Sequence, residues 1–147
     1  ERKLSVMKVH AICISPQRGT LKEPIPTAVF VAGSGIQGDG HSGDWGRQVT
    51  CLRWESVLES NEKNNLAMGP GDFAENVTIE GLEEFQPGDR LRLGKDVVLE
   101  VSQIGKPDHP SVVTRTFGVS LLPHEGLFCK VIAGGEVNPG DPVVRCS

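Results

Sequence analysis

Short apolar stretches broken by Gly, Pro, Asn and Asp run the length of this chain, and their spacing predicts strands far more than helices. Met7 to Ser15 (MKVHAICIS) sets Val9, Ala11 and Cys13 against Lys8, His10, Ile12 and Ile14. It reads as a first strand, moderately buried on both faces. Pro16 ends it, because proline has no N–H to give to a ladder. Pro16 to Pro26 reads as a loop and Thr27 to Ala32 as a second strand. Ser34 to Gln48 is a glycine-rich loop with little apolar content, after which Val49 to Leu52 returns to the sheet. Arg53 to Asn61 (RWESVLESN) is the clearest helix, with Trp54, Val57 and Leu58 on one face at i, i+3 and i+4.

Glu75 to Glu80 (ENVTIE) carries β-branched Val77, Thr78 and Ile79 and predicts a strand. Arg90 to Leu93 and Val97 to Ile104 flank Gly94-Lys95-Asp96 as a hairpin, and Leu127 to Ile132 and Pro142 to Arg145 complete the set. Pro-Gly-Asp recurs at 70–72, 87–89 and 139–141. Proline fixes φ at the first turn position and glycine accepts positive φ at the next, so these are turns rather than a repeat. Many short strands with one good helix predict a mostly β fold, a curled sheet or small barrel, in one domain over residues 1–147.

Length and composition fit that picture. A chain of 147 residues buries a real core without staples. No apolar run approaches the roughly 18 residues that span a bilayer, and polar Glu1-Arg2-Lys3-Leu4 does not read as a secretory signal. The chain opens on Glu1, which predicts native residues ahead of it. A net charge of −4 argues against nucleic-acid binding through bulk charge, but leaves room for a local basic pocket. Cys13, Cys51, Cys129 and Cys146 lie far apart without metal-ligand spacing, so free thiols in a reducing, cytoplasmic setting are expected.

Four segments hold the candidate chemistry. Residues 35–48 pack Asp39, His41, Asp44, Arg47 and two glutamines among glycines. Such a loop brings backbone N–H groups close to an anion, and Arg47 suits a bidentate phosphate. A solvated loop with Asx turns is the alternative, and neither the P-loop nor the dinucleotide motif fits. Glu75-Asn76 sits at the mouth of a strand, as a ligand pair or a turn brace. Gln103 to Pro110 offers Lys106 as a cation and Asp108-His109 as a ligand or acid/base pair, or else a rigid polar loop. Cys129, inside an alternating strand beyond His124 and Glu125, reads as a buried small hydrophobe before it reads as a nucleophile.

The order of these segments is more specific than any one of them. Ile14-Ser15 and Gly19-Thr20-Leu21-Lys22 are followed by Gly35-Ile36-x-Gly38-Asp39-x-His41-x-Gly43, Arg47-Gln48-Val49 and Gly71-Asp72-Phe73-Ala74-Glu75-Asn76. Then come Gln103-Ile104-Gly105-Lys106, His109, and Pro123-x-Glu125-Gly126-x-Phe128-x-Lys130-Val131-Ile132-x-Gly134-Gly135-Glu136-Val137 with Gly140-Asp141. Over Met7 to Val144 this resembles the MOSC domain, named after the C-terminal region of molybdenum-cofactor sulfurase, in its small stand-alone bacterial form. The resemblance implies a mixed-strand, barrel-like fold and a cleft that handles the molybdenum cofactor (molybdopterin). It implies cofactor-binding roles for Asp39, His41, Arg47, Gln48, Glu75, Asn76, Lys106, Asp108 and His109. Arg47 and Lys106 would meet the pterin phosphate. The partners it implies are that small anionic pterin and proteins of cofactor biosynthesis or molybdoenzymes, with no nucleic acid and no membrane.

One departure bears on the chemistry. Family members of this kind read Gly-Lys-Glu-Cys-His where this chain has Gly105-Lys106-Pro107-Asp108-His109, so Asp108 stands in place of the functional cysteine. A carboxylate cannot carry a persulfide, and it is a harder metal donor than a thiolate. A cofactor-binding or carrier module without covalent sulfur chemistry is therefore the leading expectation. A noncatalytic adaptor and a molybdenum-dependent reductase of the amidoxime-reducing kind are the alternatives. Sulfur transfer by Cys129 ranks behind them. Catalytic residues, metal ligands and the reaction itself stay open.

Overall fold

The computed structural model describes residues 6–146; the polar opening of the chain lies outside them. The strands are β1 (Met7–Ile14), β2 (Glu23–Pro24), β3 (Ala28–Val31), β4 (Gly35–Ile36), β5 (Val49–Arg53), β6 (Val77–Glu80), β7 (Arg90–Leu93), β8 (Val97–Ile104), β9 (Leu127–Ala133), β10 (Gly135–Val137) and β11 (Pro142–Cys146). The helices are α1 (Trp54–Asn64), α2 (Val112–Phe117) and α3 (Leu122–Glu125). Seven strands run β11-β7-β8-β9-β5-β6-β1, and β1 pairs back onto β11, with Met7 opposite Val143, to close a barrel. Only β5 and β6 pair in parallel, and the other barrel pairs are antiparallel. A parallel pair needs a crossover, and α1 with the residues after it supplies one. β3, β4 and β10 form a small second sheet.

Two apolar clusters divide the interior. Met7, Val9, Ile12, Val49, Cys51, Ile79, Leu91, Leu99 and Cys129 help fill the barrel. Leu52, Val57, Met68, Phe73, Val113, Leu122 and Phe128 form a second cluster, under α1, α2 and α3. That second layer positions the functional residues.

The alternation expected for β1 breaks at His10. A register shift between Val9 and Ala11 places Met7 and Val9, then Ile12, in the barrel core, while Ala11 and Cys13 are buried outside that cluster. An extra residue in one strand flips the parity of every side chain after it. The bulged residue is put to use, since the His10 ring stacks on Trp54 at 4.1 Å and its Nδ1 lies 2.8 Å from Glu80 Oε2.

The helix runs on to Asn64 and stops where Asn65 turns left-handed at φ 53° and donates to the Asn61 carbonyl. Its buried residues are Ser56, Val57 and Ser60. Leu58, expected on the inner face, is exposed because the barrel meets α1 along a narrower stripe. The hairpin at residues 94–96 is as expected. The strand expected from Glu75 begins instead at Val77. Within the two expected loops lie the short strands β2 and β4. Between residues 105 and 126 the chain forms α2 and α3, neither of them expected; Ser111 caps α2 by accepting the Thr114 N–H.

Candidate functional site

A buried polar network centres on a lysine. Lys22 and Asp39 are both fully buried, and Lys22 Nζ donates to Asp39 Oδ1 at 2.6 Å. The same ammonium reaches Ser15 Oγ at 3.3 Å and His41 Nδ1 at 3.0 Å. Asp39 also accepts the N–H groups of Ser15 and His41. This network folds residues 38–43 back against the end of β1. His41 keeps one edge in the open, and burial together with the Lys22 charge pushes its imidazole down to about 4.

Gln48, Glu75 and Asn76 are each satisfied internally. Gln48 donates to the Gly43 carbonyl and accepts from the Val131 N–H, which ties the loop to β9. Asn76 accepts from the Thr50 N–H and donates to the Cys13 carbonyl, bridging β5 and β1. Glu75 accepts from the Gly71 and Phe73 N–H groups and from the Thr78 hydroxyl, holding the 71–75 turn shut. Burial raises its carboxyl above the usual range, and those donors pull against it. Gly71 is required in that turn: at φ +86° a Cβ would come 2.1 Å from the Lys22 carbonyl oxygen. Buried polar groups of this kind serve the backbone first.

The remaining candidates meet at a cleft of about 300 Å³ on the flank of the barrel. Its floor is apolar, formed by Phe73, Val113, Leu122 and Phe128 of the second cluster. His41, Lys106, His109 and Arg115 line it as well. The 38–48 and 103–109 segments therefore share one concave surface, as expected. Arg47 lies beside it, with its guanidinium 5.8 Å from the centroid of the Phe128 ring and 5.5 Å from that of Trp45. Burial and the Arg47 charge lower the Lys106 ammonium from its usual range, and Asp108 acts in the opposite direction. Asp108 itself is exposed and does not line the cleft.

No Asp or Glu lines this cleft, and among the described residues Arg18, Arg47, Lys106 and Arg115 form no ion pair. Arg18 stacks over Trp45 at 4.2 Å. A chain of net charge −4 thus gathers unpaired cations around one apolar floor. The sequence reading assigned no role to Lys22, Arg18, Trp45 or Arg115. Lys22 stood in the quoted Gly-Thr-Leu-Lys motif, whereas no helical period marked the segment that carries Arg115.

No cysteine lines the cleft. Cys13, Cys51 and Cys129 are buried, and burial beside Glu75 pushes the Cys13 thiol up to about 12. Cys129 is raised by its contact with Cys51 and by burial, so it behaves as a core residue. The cleft suits an anion with a flat apolar body. Its donors do not suit a metal bound directly by the protein: they are two imidazoles, and no three His, Cys, Asp or Glu converge among the described residues.

A family model for the MOSC domain matches residues 38–144. The chain belongs to the MOSC domain family. MOSC domains are associated with molybdenum-cofactor binding. This one is similar in structure to the YuaD protein from Bacillus subtilis, with a TM-score of 0.75 and 19% identity over 97% of each chain. It is similar to YiiM from Geobacillus stearothermophilus, with a TM-score of 0.75 and 22% identity over 96% of this chain and 75% of that one. For YiiM from Escherichia coli the TM-score is 0.71 and the identity 22%, over 97% of this chain and 70% of that one. These likenesses establish the mixed seven-stranded barrel as the MOSC fold. No curated protein matches this MOSC domain in sequence. None of its helices is long and apolar enough to cross a membrane among the described residues.

Proposed function

We infer that this MOSC domain is a binding or carrier module for an anionic pterin of the molybdopterin type. The observation that carries the reading is the cleft in which Lys106, Arg115 and neighbouring Arg47 lack any carboxylate partner. Unpaired cations over an apolar floor suit a flat ring with a phosphate tail. Phe73 and Phe128 would pack the ring, and Arg47 and Lys106 would hold the phosphate. When bound, such a cofactor brings its own redox chemistry, and the protein supplies position and charge. With Asp108 exposed and no cysteine at the cleft, the residues do not support a thiolate-held molybdenum of the amidoxime-reducing kind.

Calorimetric titration with molybdopterin, or with pterin-6-carboxylate as an anionic analogue, tests the reading. Lys106→Ala and Arg47→Ala should each weaken binding by about tenfold, the scale of one charge-assisted hydrogen bond. Lys95→Ala, on the β7–β8 hairpin, should leave it unchanged. Absence of wild-type binding at millimolar ligand ends the proposal.

A further inference from the structure

An ammonium has three N–H donors and no acceptor. Lys22 spends all three, on Asp39 Oδ1 at 2.6 Å, His41 Nδ1 at 3.0 Å and Ser15 Oγ at 3.3 Å. A group that only donates must meet a lone pair, so His41 Nδ1 carries no proton and Nε2 carries the ring's single N–H. The backbone that carries the ring is held as well. The His41 backbone N–H donates to Asp39 Oδ2, the Trp45 indole donates to the His41 backbone carbonyl, and the two rings lie nearly parallel at 6°. His41 lines the cleft, and its Nε2 has no hydrogen-bond partner among the described residues.

We propose that Lys22 is a positioning residue that locks His41 as the neutral Nε2–H tautomer, giving the cleft one fixed uncharged donor among its cations. The charged rim takes the anionic part of a ligand. The imidazole N–H selects for a neutral acceptor, a carbonyl oxygen or ring nitrogen, on the same molecule. The tautomer stands on geometry alone, whereas the ligand selection rests on the binding reading above. Protonating Nδ1 would set a second positive charge against the ammonium. Burial opposes that first, the Lys22, Arg18 and Lys106 charges add to it, Asp39 alone favours it, and the imidazole sits low accordingly.

Long-range proton–nitrogen NMR of the four histidines in the labelled wild-type protein tests the lock, with His41 assigned by its loss in His41→Gln. The expected pattern is Nε2–H, constant from about pH 8 to pH 5, below the ordinary histidine midpoint. An Nδ1–H pattern, or a midpoint near 6.5, overturns it. In Lys22→Met, or in Lys22→Met/Asp39→Asn, which leaves no buried charge unpaired, the His41 midpoint should rise by about one unit or more. No rise in a folded variant removes Lys22 from the role.

Selection is read with pterin-6-carboxylate and inorganic phosphate as separate probes. His41→Phe should weaken the pterin by about tenfold and leave phosphate unchanged, and His41→Gln, which keeps a donor, should recover most of the loss. Equal losses for both probes, or none, overturn the selective role. If the wild type binds neither probe, the binding reading falls and takes selection with it, but the NMR result still decides the lock.

Discussion

Residues 35–48 and residues 105–126 bring side chains to the same cleft, yet opposite physics holds them. The first segment has little apolar content, and a buried charge network anchors it: Asp39 on Lys22, and Gln48 on Gly43 and Val131. The second segment read as a polar loop, yet apolar contacts anchor it, with Val113 and Leu122 seated in the second core cluster. Its polar groups Lys106, His109 and Arg115 are left over for the cleft. Polar density in a sequence is thus a poor guide to where ligand groups remain free. The first segment spends Asp39 and Gln48 internally and leaves Arg47 beside the cleft, whereas the second keeps Lys106, His109 and Arg115 for it.

The contrast can be broken most forcefully at Lys22. Lys22→Met strands the Asp39 carboxylate in the interior and should cost about 3–5 kcal/mol, read from denaturant unfolding. A loss under 1 kcal/mol would mean that the first segment does not depend on its charges. Acid gives the next largest effect. The unfolded His41 takes up its proton near 6.5 and the folded one at about 4, so the unfolded chain binds more protons between those values. Stability is therefore full above about pH 6.5 and declines toward pH 4, by up to about 3 kcal/mol from this residue. Glu75 works the other way, because its raised carboxyl is protonated more readily in the fold. His41→Gln should flatten the acid limb of the stability profile, and an unaltered limb would exclude His41 as its source.

The second segment should respond more mildly. Ser111→Ala removes the cap of α2 and should cost about 1 kcal/mol while loosening the cleft wall, seen as weaker pterin binding. Lys106→Ala sharpens the comparison from the other end. It should change the denaturation midpoint by no more than about 0.5 kcal/mol equivalent while weakening ligand binding. A large stability loss there would show that the second segment, too, is held by charge.

How much of this was legible follows from the same division. Turn residues and apolar runs located most of the strands, since glycine and proline punctuate a barrel wherever the chain reverses. The bulge at His10 was not legible, because one extra residue leaves composition intact and changes only parity. Leu58 misled because α1 buries a stripe that includes Ser56 and Ser60, two small polar residues. α2 and α3 are only 6 and 4 residues long, too short for a helical period to declare itself. In the site, His41, Lys106 and His109 line the cleft. Asp39, Gln48, Glu75 and Asn76 are occupied by backbone and ammonium partners, since a glycine-rich loop needs internal acceptors and donors as much as a ligand does. Lys22 escaped notice because a lysine seldom lies wholly inside a protein.

Cys13, Cys51 and Cys129 have no exposed surface, while Cys146 on β11 is part-exposed. A maleimide or disulfide reagent should therefore modify one sulfur promptly and then wait. Each later adduct forms only when the strands part, so the slow labelling phases record how often this cylinder breathes open. The molecule carries a built-in gauge of its own rare excursions, readable by mass spectrometry without an added fluorophore.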